Sequence, residues 1–222
     1  MLVRERMSRH AVTILAGTPI TEALRVMRQS QVRRLPVLDE SGDMVGIVSE
    51  KDLLYAAPSP ATSLSIYEMH DLLTRLKVDE LMTTEVITVT PNTPLEEAAR
   101  IMADHKIGGL PVVEGGRLVG IITETDIFKV FLEMLGARDP GLRLTVEMPE
   151  RKGEMARFTT AIAQLGGNIM ALGSMFSDDP SRSQVTVKVD DVPADQLIAA
   201  MNDLDLHVLD VREIEQSEEM DG

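Results

Sequence analysis

Two short stretches of the chain place a hydroxyl three residues before a carboxylate: Ser49-Glu50-Lys51-Asp52 and Thr123-Glu124-Thr125-Asp126. Each follows a Gly and two apolar residues, in Gly46-Ile47-Val48 and Gly120-Ile121-Ile122, so each sits where a strand hands over to a helix. A hydroxyl at a helix start lies beside free backbone N–H groups and the positive end of the helix dipole, which favours a phosphate. A carboxylate three residues on can accept two hydrogen bonds from a cis-diol, and charge-assisted bonds of this kind contribute about 1.5–3 kcal/mol each. A phosphate seat beside a diol acceptor describes a ribonucleotide. Ser/Thr-x-x-Asp before an apolar run is equally a helix cap, and for one copy alone capping suffices.

The elements that must position these residues are themselves duplicated. A shift of 75 residues lays Val3-Arg4-Glu5-Arg6-Met7 on Val78-Asp79-Glu80-Leu81-Met82, Thr18-Pro19-Ile20-Thr21-Glu22-Ala23 on Thr93-Pro94-Leu95-Glu96-Glu97-Ala98, and Leu35-Pro36-Val37 on Leu110-Pro111-Val112. Each copy reads as strand, helix, strand, turn, strand, helix. Thr18 and Thr93 suit the N-cap, with Pro19 and Pro94 in the first turn and Glu96 completing a capping box with Thr93. The hairpins turn at Gly42-Asp43 and at Glu114-Gly115-Gly116. The expected divisions are repeat 1 at 1–56, a linker and helix at 57–77, and repeat 2 at 78–136. The linker is Ala- and Pro-rich, and its helix carries Leu64, Tyr67, Met69, Leu72, Leu73 and Leu76. Residues 142–215 follow a different plan, β-α-β-β-α-β, which is ferredoxin-like. Residues 216–222 form an acidic tail.

The repeats resemble a tandem pair of CBS (cystathionine-β-synthase) domains, a Bateman module, and residues 142–215 resemble an ACT domain. The implied fold class is α+β: a tandem CBS pair plus a ferredoxin-like βαββαβ ACT domain. The combination is similar to the acetoin-utilisation proteins of the AcuB type. In CBS pairs, adenosine ligands (AMP, ADP, ATP, sometimes S-adenosylmethionine) occupy two clefts between the repeats. By that resemblance one cleft joins Thr18, Ala23, Val32 and Arg33 to Thr123 and Asp126. The other joins Thr93, Ala98, Ile107 and Gly108 to Ser49 and Asp52. Arg33 and Arg34 stand where the second copy has Gly108 and Gly109, so the first cleft is expected to hold phosphate more tightly. The ACT resemblance implies an amino acid bound at a subunit interface by Gly153, in the loop Pro149-Glu150-Arg151-Lys152-Gly153, and by Asn168 at the second strand. Lys152 departs from the family's usual Pro, and Asn168 after Gly166-Gly167 also reads as a helix stop or turn.

Composition narrows the function. The formal charge is −14 over 222 residues, so general nucleic-acid binding and attachment to anionic membranes are disfavoured. Residues 190–222 hold 11 acids and one base, Arg212, which leaves the rest near balance and compatible with a small anion. No Cys is present, so disulfides and thiolate chemistry are excluded. The first residues lack a signal-peptide core, and no run of about 18 apolar residues occurs, so a cytoplasmic location is expected. The four His are scattered without metal-ligand spacing, and no nucleophile elbow or Walker loop appears. The 14 Met fall mostly on helix core positions. The sequence therefore reads as a non-enzymatic regulator with no resident cofactor or metal, binding an adenosine nucleotide, forming a homodimer and signalling to a metabolic-enzyme partner. The alternative is a structural dimeric interaction module with vestigial clefts.

Overall fold

The computed structural model describes residues 1–56 and 75–215, which fall into two compact units, 1–127 and 128–222. Most of the expected linker helix, with Leu64, Tyr67, Met69, Leu72 and Leu73, and the tail at 216–222 lie outside the described residues.

In the first unit, repeat 1 holds β1 (Ile14–Leu15), α1 (Ile20–Gln29), β2 (Arg34–Leu38), β3 (Met44–Ser49) and α2 (Glu50–Ala56). β1 runs parallel to β2, and β2 pairs antiparallel with β3, with Leu35 opposite Val48. Repeat 2 holds α3 (Leu95–His105), β4 (Gly109–Glu114), β5 (Arg117–Thr123) and α4 (Glu124–Met134), the last of which runs across the boundary at 127. Its counterpart of β1 is a single parallel bridge, Val89 to Val112. Both hairpins turn where the sequence indicates. Asp39 Oδ1 accepts the N–H groups of Ser41 and Asp43 in the first, and Gly115 and Gly116 take φ of +57° and +81° in the second.

The helix starts differ from expectation by one residue. Pro19 and Pro94 are the N-caps, with extended backbones, and Thr18 and Thr93 lie outside. Pro19 O accepts the N–H of Glu22 and Ala23, as Pro94 O accepts those of Glu97 and Ala98, so the prolines supply the first helical carbonyls. Thr93 Oγ1 accepts the N–H of Thr90 at 3.1 Å, and the expected capping box with Glu96 is not formed.

The opening segment of each repeat belongs to the other repeat. A 3₁₀ turn at Val3–Glu5 is tied to repeat 2, Val3 N–H donating to Thr93 O and Leu95 N–H to Met1 O. The matching turn at Val78–Glu80 is tied to repeat 1, Val78 N–H donating to Thr18 O and Ile20 N–H to Leu76 O. Val78 is fully buried in one core with Ile14, Ile20, Ala23, Met27, Leu35, Val37, Val48 and Leu53. The exchange explains the Gly that opens each motif. Ser8 exchanges two backbone bonds with Ile121, at 2.9 and 3.0 Å, and Thr83 does the same with Ile47. A Cβ on Gly120 would lie 2.7 Å from Ser8 O, and one on Gly46 would lie 3.0 Å from Thr83 O, so a side chain would push the crossing segment off the strand.

The second unit holds β6 (Gly141–Pro149), α5 (Glu154–Gln164), β7 (Asn168–Phe176), β8 (Arg182–Asp190), α6 (Ala194–Asp203) and β9 (His207–Ile214). Its sheet order is β7-β8-β6-β9, all antiparallel, which is the ferredoxin-like split βαβ plan read from the element order. Even residues of β6 (Leu142, Leu144, Val146, Met148) and odd residues of β8 (Val185, Val187, Val189) share a core with Phe158, Ile162, Leu197 and Met201 of the two helices. On the opposite face Lys188 is buried. Its ammonium donates to Gly136 O at 2.7 Å and to Asp139 O, pinning the segment that leaves α4. That segment begins with a Gly-terminated helix stop: Gly136, at φ +56°, donates to Glu133 O and Ala137 to Leu132 O.

Candidate functional site

The hydroxyl and carboxylate of each motif close on one another. Ser49 N–H and Oγ–H both donate to Asp52 Oδ2, at 2.9 and 2.6 Å, and Asp52 N–H donates back to Ser49 Oγ at 3.3 Å. Thr123 and Asp126 repeat this, at 2.9, 2.7 and 3.4 Å. The capping role is therefore filled in both copies, and it uses one carboxylate oxygen. Oδ1 of each Asp takes no hydrogen bond among the described residues.

Both motifs line a single cavity of about 1000 Å³ within the first unit. Of the twelve positions expected at the clefts, it brings together Val32, Arg33, Ser49, Asp52, Ile107, Gly108, Thr123 and Asp126. The other four lie elsewhere. Ala23 and Ala98 are fully buried on the inner faces of α1 and α3, and the Thr18 and Thr93 carbonyls hold the exchanged segments. The two expected clefts thus open into one space. Its ionic lining is nearly even, with Arg33, Arg34, Lys51 and Lys106 against Glu50, Asp52, Glu85, Glu124 and Asp126. An anion is not repelled by this lining, and what it meets depends on which half it enters.

The cavity also holds residues that motif reading passed over. Ser8 and Thr83, which carry the exchanged strand bridges, lie on its wall, as do His10 and Glu85. Both pairs are related by the 75-residue shift, which is the signal that would have found them. Gln31 and Lys106, another shifted pair, sit just past the ends of α1 and α3 at φ of +53° and +55°. Among the described residues no three His, Asp or Glu side chains gather as a metal site requires, and no helix is long and apolar enough to cross a membrane.

In the second unit, Gly153 is the N-cap of α5 at φ +91°, and Asn168 opens β7. One chain does not bring them together. Ile169 and Leu142 both pair with Val189, which puts Asn168 beside the start of β6, whereas Gly153 follows its end at Pro149. At about 3.3 Å per strand residue the two ends of β6, Leu142 and Pro149, stand roughly 23 Å apart.

Comparison with known proteins bears on the first unit. The CBS domain family profile matches residues 3–59 and 78–133, together about half of the chain. A CBS domain-containing protein of Dictyostelium discoideum is 32% identical over 61% of this chain and 94% of its own length. The chain spans much less of some other relatives, among them an uncharacterised Methanocaldococcus jannaschii protein, MJ1404, 34% identical over 60% of this chain and 32% of that protein. A crystal structure described as an acetoin utilization protein, AcuB, from Vibrio cholerae is 34% identical over 63% of this chain and 96% of that one, with a TM-score of 0.52. The CBS domain pair of protein MJ0100, crystallised with 5′-methylthioadenosine and S-adenosyl-L-methionine, is 30% identical over 59% of this chain and 95% of that one, with a TM-score of 0.50. With a duplicated profile match and a relative covered almost end to end, the chain belongs to the CBS domain family and carries its domain as a tandem pair.

Proposed function

We propose that the chain is a regulatory, non-enzymatic sensor of adenosine ligands, AMP, ADP, ATP or S-adenosylmethionine, held in the cavity of the CBS pair. The observation that carries this is the presence of two hydroxyl–carboxylate helix starts on one cavity, each with a carboxylate oxygen left over after capping. Those oxygens suit a ribose diol; the N–H groups of Ser49, Glu50 and Asp52, like those of Thr123, Glu124 and Asp126, already donate within the protein, which leaves the cations of the lining, among them Arg33 and Lys106, to meet a phosphate. The MJ0100 pair, crystallised with two adenosine derivatives, supports the ligand class. The likeness to a protein described as an acetoin utilization protein supports a link to that metabolism. In this reading the chain reports adenylate state to a metabolic-enzyme partner in the cytoplasm, with residues 142–215 as an ACT-type relay. A ligand moves such a relay only if it binds one arrangement of the repeats better than another. A thermal-shift panel of AMP, ADP, ATP and S-adenosylmethionine tests the reading. A true ligand at 100 times its Kd stabilises the protein by about 2.7 kcal/mol, and no shift with any of the four would remove the proposal.

A second reading, a structural dimeric module, is favoured by one observation: Leu54 and Tyr55 on α2, and Phe128, Phe131 and Met134 on α4, are exposed. A homodimer is compatible with both readings. It is also what an amino-acid site at Gly153 and Asn168 requires, since two copies must supply the two ends. Sedimentation of the full chain with and without AMP separates the readings: the sensor responds to ligand, and the structural module does not.

A further inference from the structure

Where the exchanged segment 1–9 crosses repeat 2 it helps to close a second cavity, of about 340 Å³, which shares no lining residue with the motif cavity. Met7, Pro91 and Val119 give it an apolar wall, and Arg4, Arg9, Asn92 and Glu114 a polar one. The duplication separates what the crossing requires from what this cavity adds. Met7 and Val119 correspond to Met82 and Val45 in the other copy, so that part of the wall is common to both crossings. Arg4, Arg9 and Asn92 correspond instead to Asp79, Thr84 and Gly17. The matching crossing at Val78 and Thr83 forms without those three side chains, so the fold does not call for them. Glu114 stands where Asp39 accepts the N–H groups of the first hairpin turn, and its own carboxylate has no such task.

Arg4 Nη1 donates to Asn92 Oδ1 at 2.7 Å, which orients that guanidinium and leaves its remaining N–H groups to a ligand. Among the described residues Arg9 and Glu114 make no ion pair and no side-chain hydrogen bond, with each other or with Arg4. Charges of both signs thus line one small cavity without neutralising one another. Two guanidiniums and one carboxylate are matched, group by group, by two carboxylates and one ammonium. We infer that this cavity binds an acidic α-amino acid, with its carboxylates on Arg4 and Arg9, its ammonium on Glu114 and its methylene stem against Met7 and Val119. The four polar side chains are exposed, so the affinity is expected at about 0.1–10 mM and falls with added salt. The site depends neither on the adenosine reading nor on Gly153 and Asn168.

Chemical-shift titration of the full chain with L-glutamate and L-aspartate tests it. Glutarate, which lacks the ammonium, and L-glutamine, which lacks one carboxylate charge, are the comparators. At least one acidic amino acid saturably shifts the amides of 4–9, 92 and 114–119, and each comparator binds about tenfold more weakly than L-glutamate. Arg9→Thr brings in the residue that the other copy carries, so the crossing and the melting temperature are kept while the acidic amino acid is weakened about tenfold. Glu114→Gln brings L-glutamate and glutarate to within about threefold of one another. Arg28→Ala, at an exposed position on α1 outside both cavities, changes none of these. AMP binds both cavity variants as it binds the wild type, so the two sites are read separately. Glutarate binding as tightly as L-glutamate overturns the assignment to an amino acid. Shifts confined to 150–168, or no saturable shift with either acidic amino acid, overturn the site.

Discussion

Replacing Gly120 with Ala attacks the exchange that joins the repeats. The added Cβ would sit 2.7 Å from Ser8 O, a backbone atom that cannot rotate away, so the segment around Ser8 must shift. That shift falls on the two bonds between Ser8 and Ile121, at 2.9 and 3.0 Å. The crossing either yields its two bonds, at about 0.5–1.5 kcal/mol net each, or keeps them and absorbs the overpacking, at about 1–3 kcal/mol, so by either route the expected destabilisation is about 2 kcal/mol. For a unit of this size that is a fall in Tm of roughly 6–10 °C. Gly46→Ala is milder, about 1 kcal/mol, because its nearest neighbours are the flexible Sδ and Cγ of Met82, with Thr83 O at 3.0 Å. Gly17→Ala is the control: nothing lies within 4 Å of its Cβ, so it is neutral or stabilising by about 0.4–1 kcal/mol. Thermal melts of the three variants, with hydrogen exchange at Ser8 and Ile121, read the result. Equal Tm for Gly120→Ala and Gly17→Ala would refute the crossing as the reason for the glycine.

Asp126→Ala removes the carboxylate half of the reciprocal cap, the acceptor of the Thr123 N–H and Oγ–H, together with the diol acceptor and destabilises by about 0.5–2 kcal/mol, whereas Asp126→Asn keeps an oxygen for Thr123 N–H and melts within about a degree of wild type. Lys106→Gly relieves a left-handed backbone at φ +55° and raises stability by about 0.5–1 kcal/mol in chemical denaturation. Lys188→Met leaves the Gly136 and Asp139 carbonyls without their donor, costs about 1–3 kcal/mol, and speeds hydrogen exchange in 136–141 before the first unit responds. The exposed Glu22 and Glu97 carboxyls are held below their usual range by hydrogen bonds from Arg25 and Arg100. Their small contribution is therefore present at neutral pH and lost as pH falls through and below about 4. Glu22→Gln with Glu97→Gln should flatten that part of the acid melting curve.

The duplication was legible because a shift of 75 residues aligns whole elements, and it carried the hairpins and the motif helices with it; the βαββαβ order of the second unit was legible separately, from its own strand alternation and helical spacing. Which repeat a segment packs against was not legible. Val3 and Val78 have the same place in the pattern whether each serves its own copy or the other, and only the bonds to Thr93 O and Thr18 O decide. For the same reason the Gly of each motif read as part of a ligand signature, when the crossing of Ser8 or Thr83 accounts for it. Helix starts slipped by a residue because a Thr-Pro pair offers two capping solutions, and the Pro carbonyls took the first bonds. Lys188 lies on the polar side of a strict alternation, which reads as exposed. Its burial depends on residues 136–139, some fifty positions earlier in the chain.

The measurement closest to the central claim is a calorimetric titration of AMP into the full chain and into an Asp52→Asn, Asp126→Asn double variant. Both substitutions keep an oxygen for the caps, so the fold is held constant while the spare carboxylate oxygen of each is replaced by an amide NH2, which donates and cannot accept from a diol. Saturable binding by the wild type, weakened by about tenfold or more in the double variant with an unchanged melting temperature, is the expected result. Equal affinity in the two proteins, or no binding of AMP by either, would contradict it.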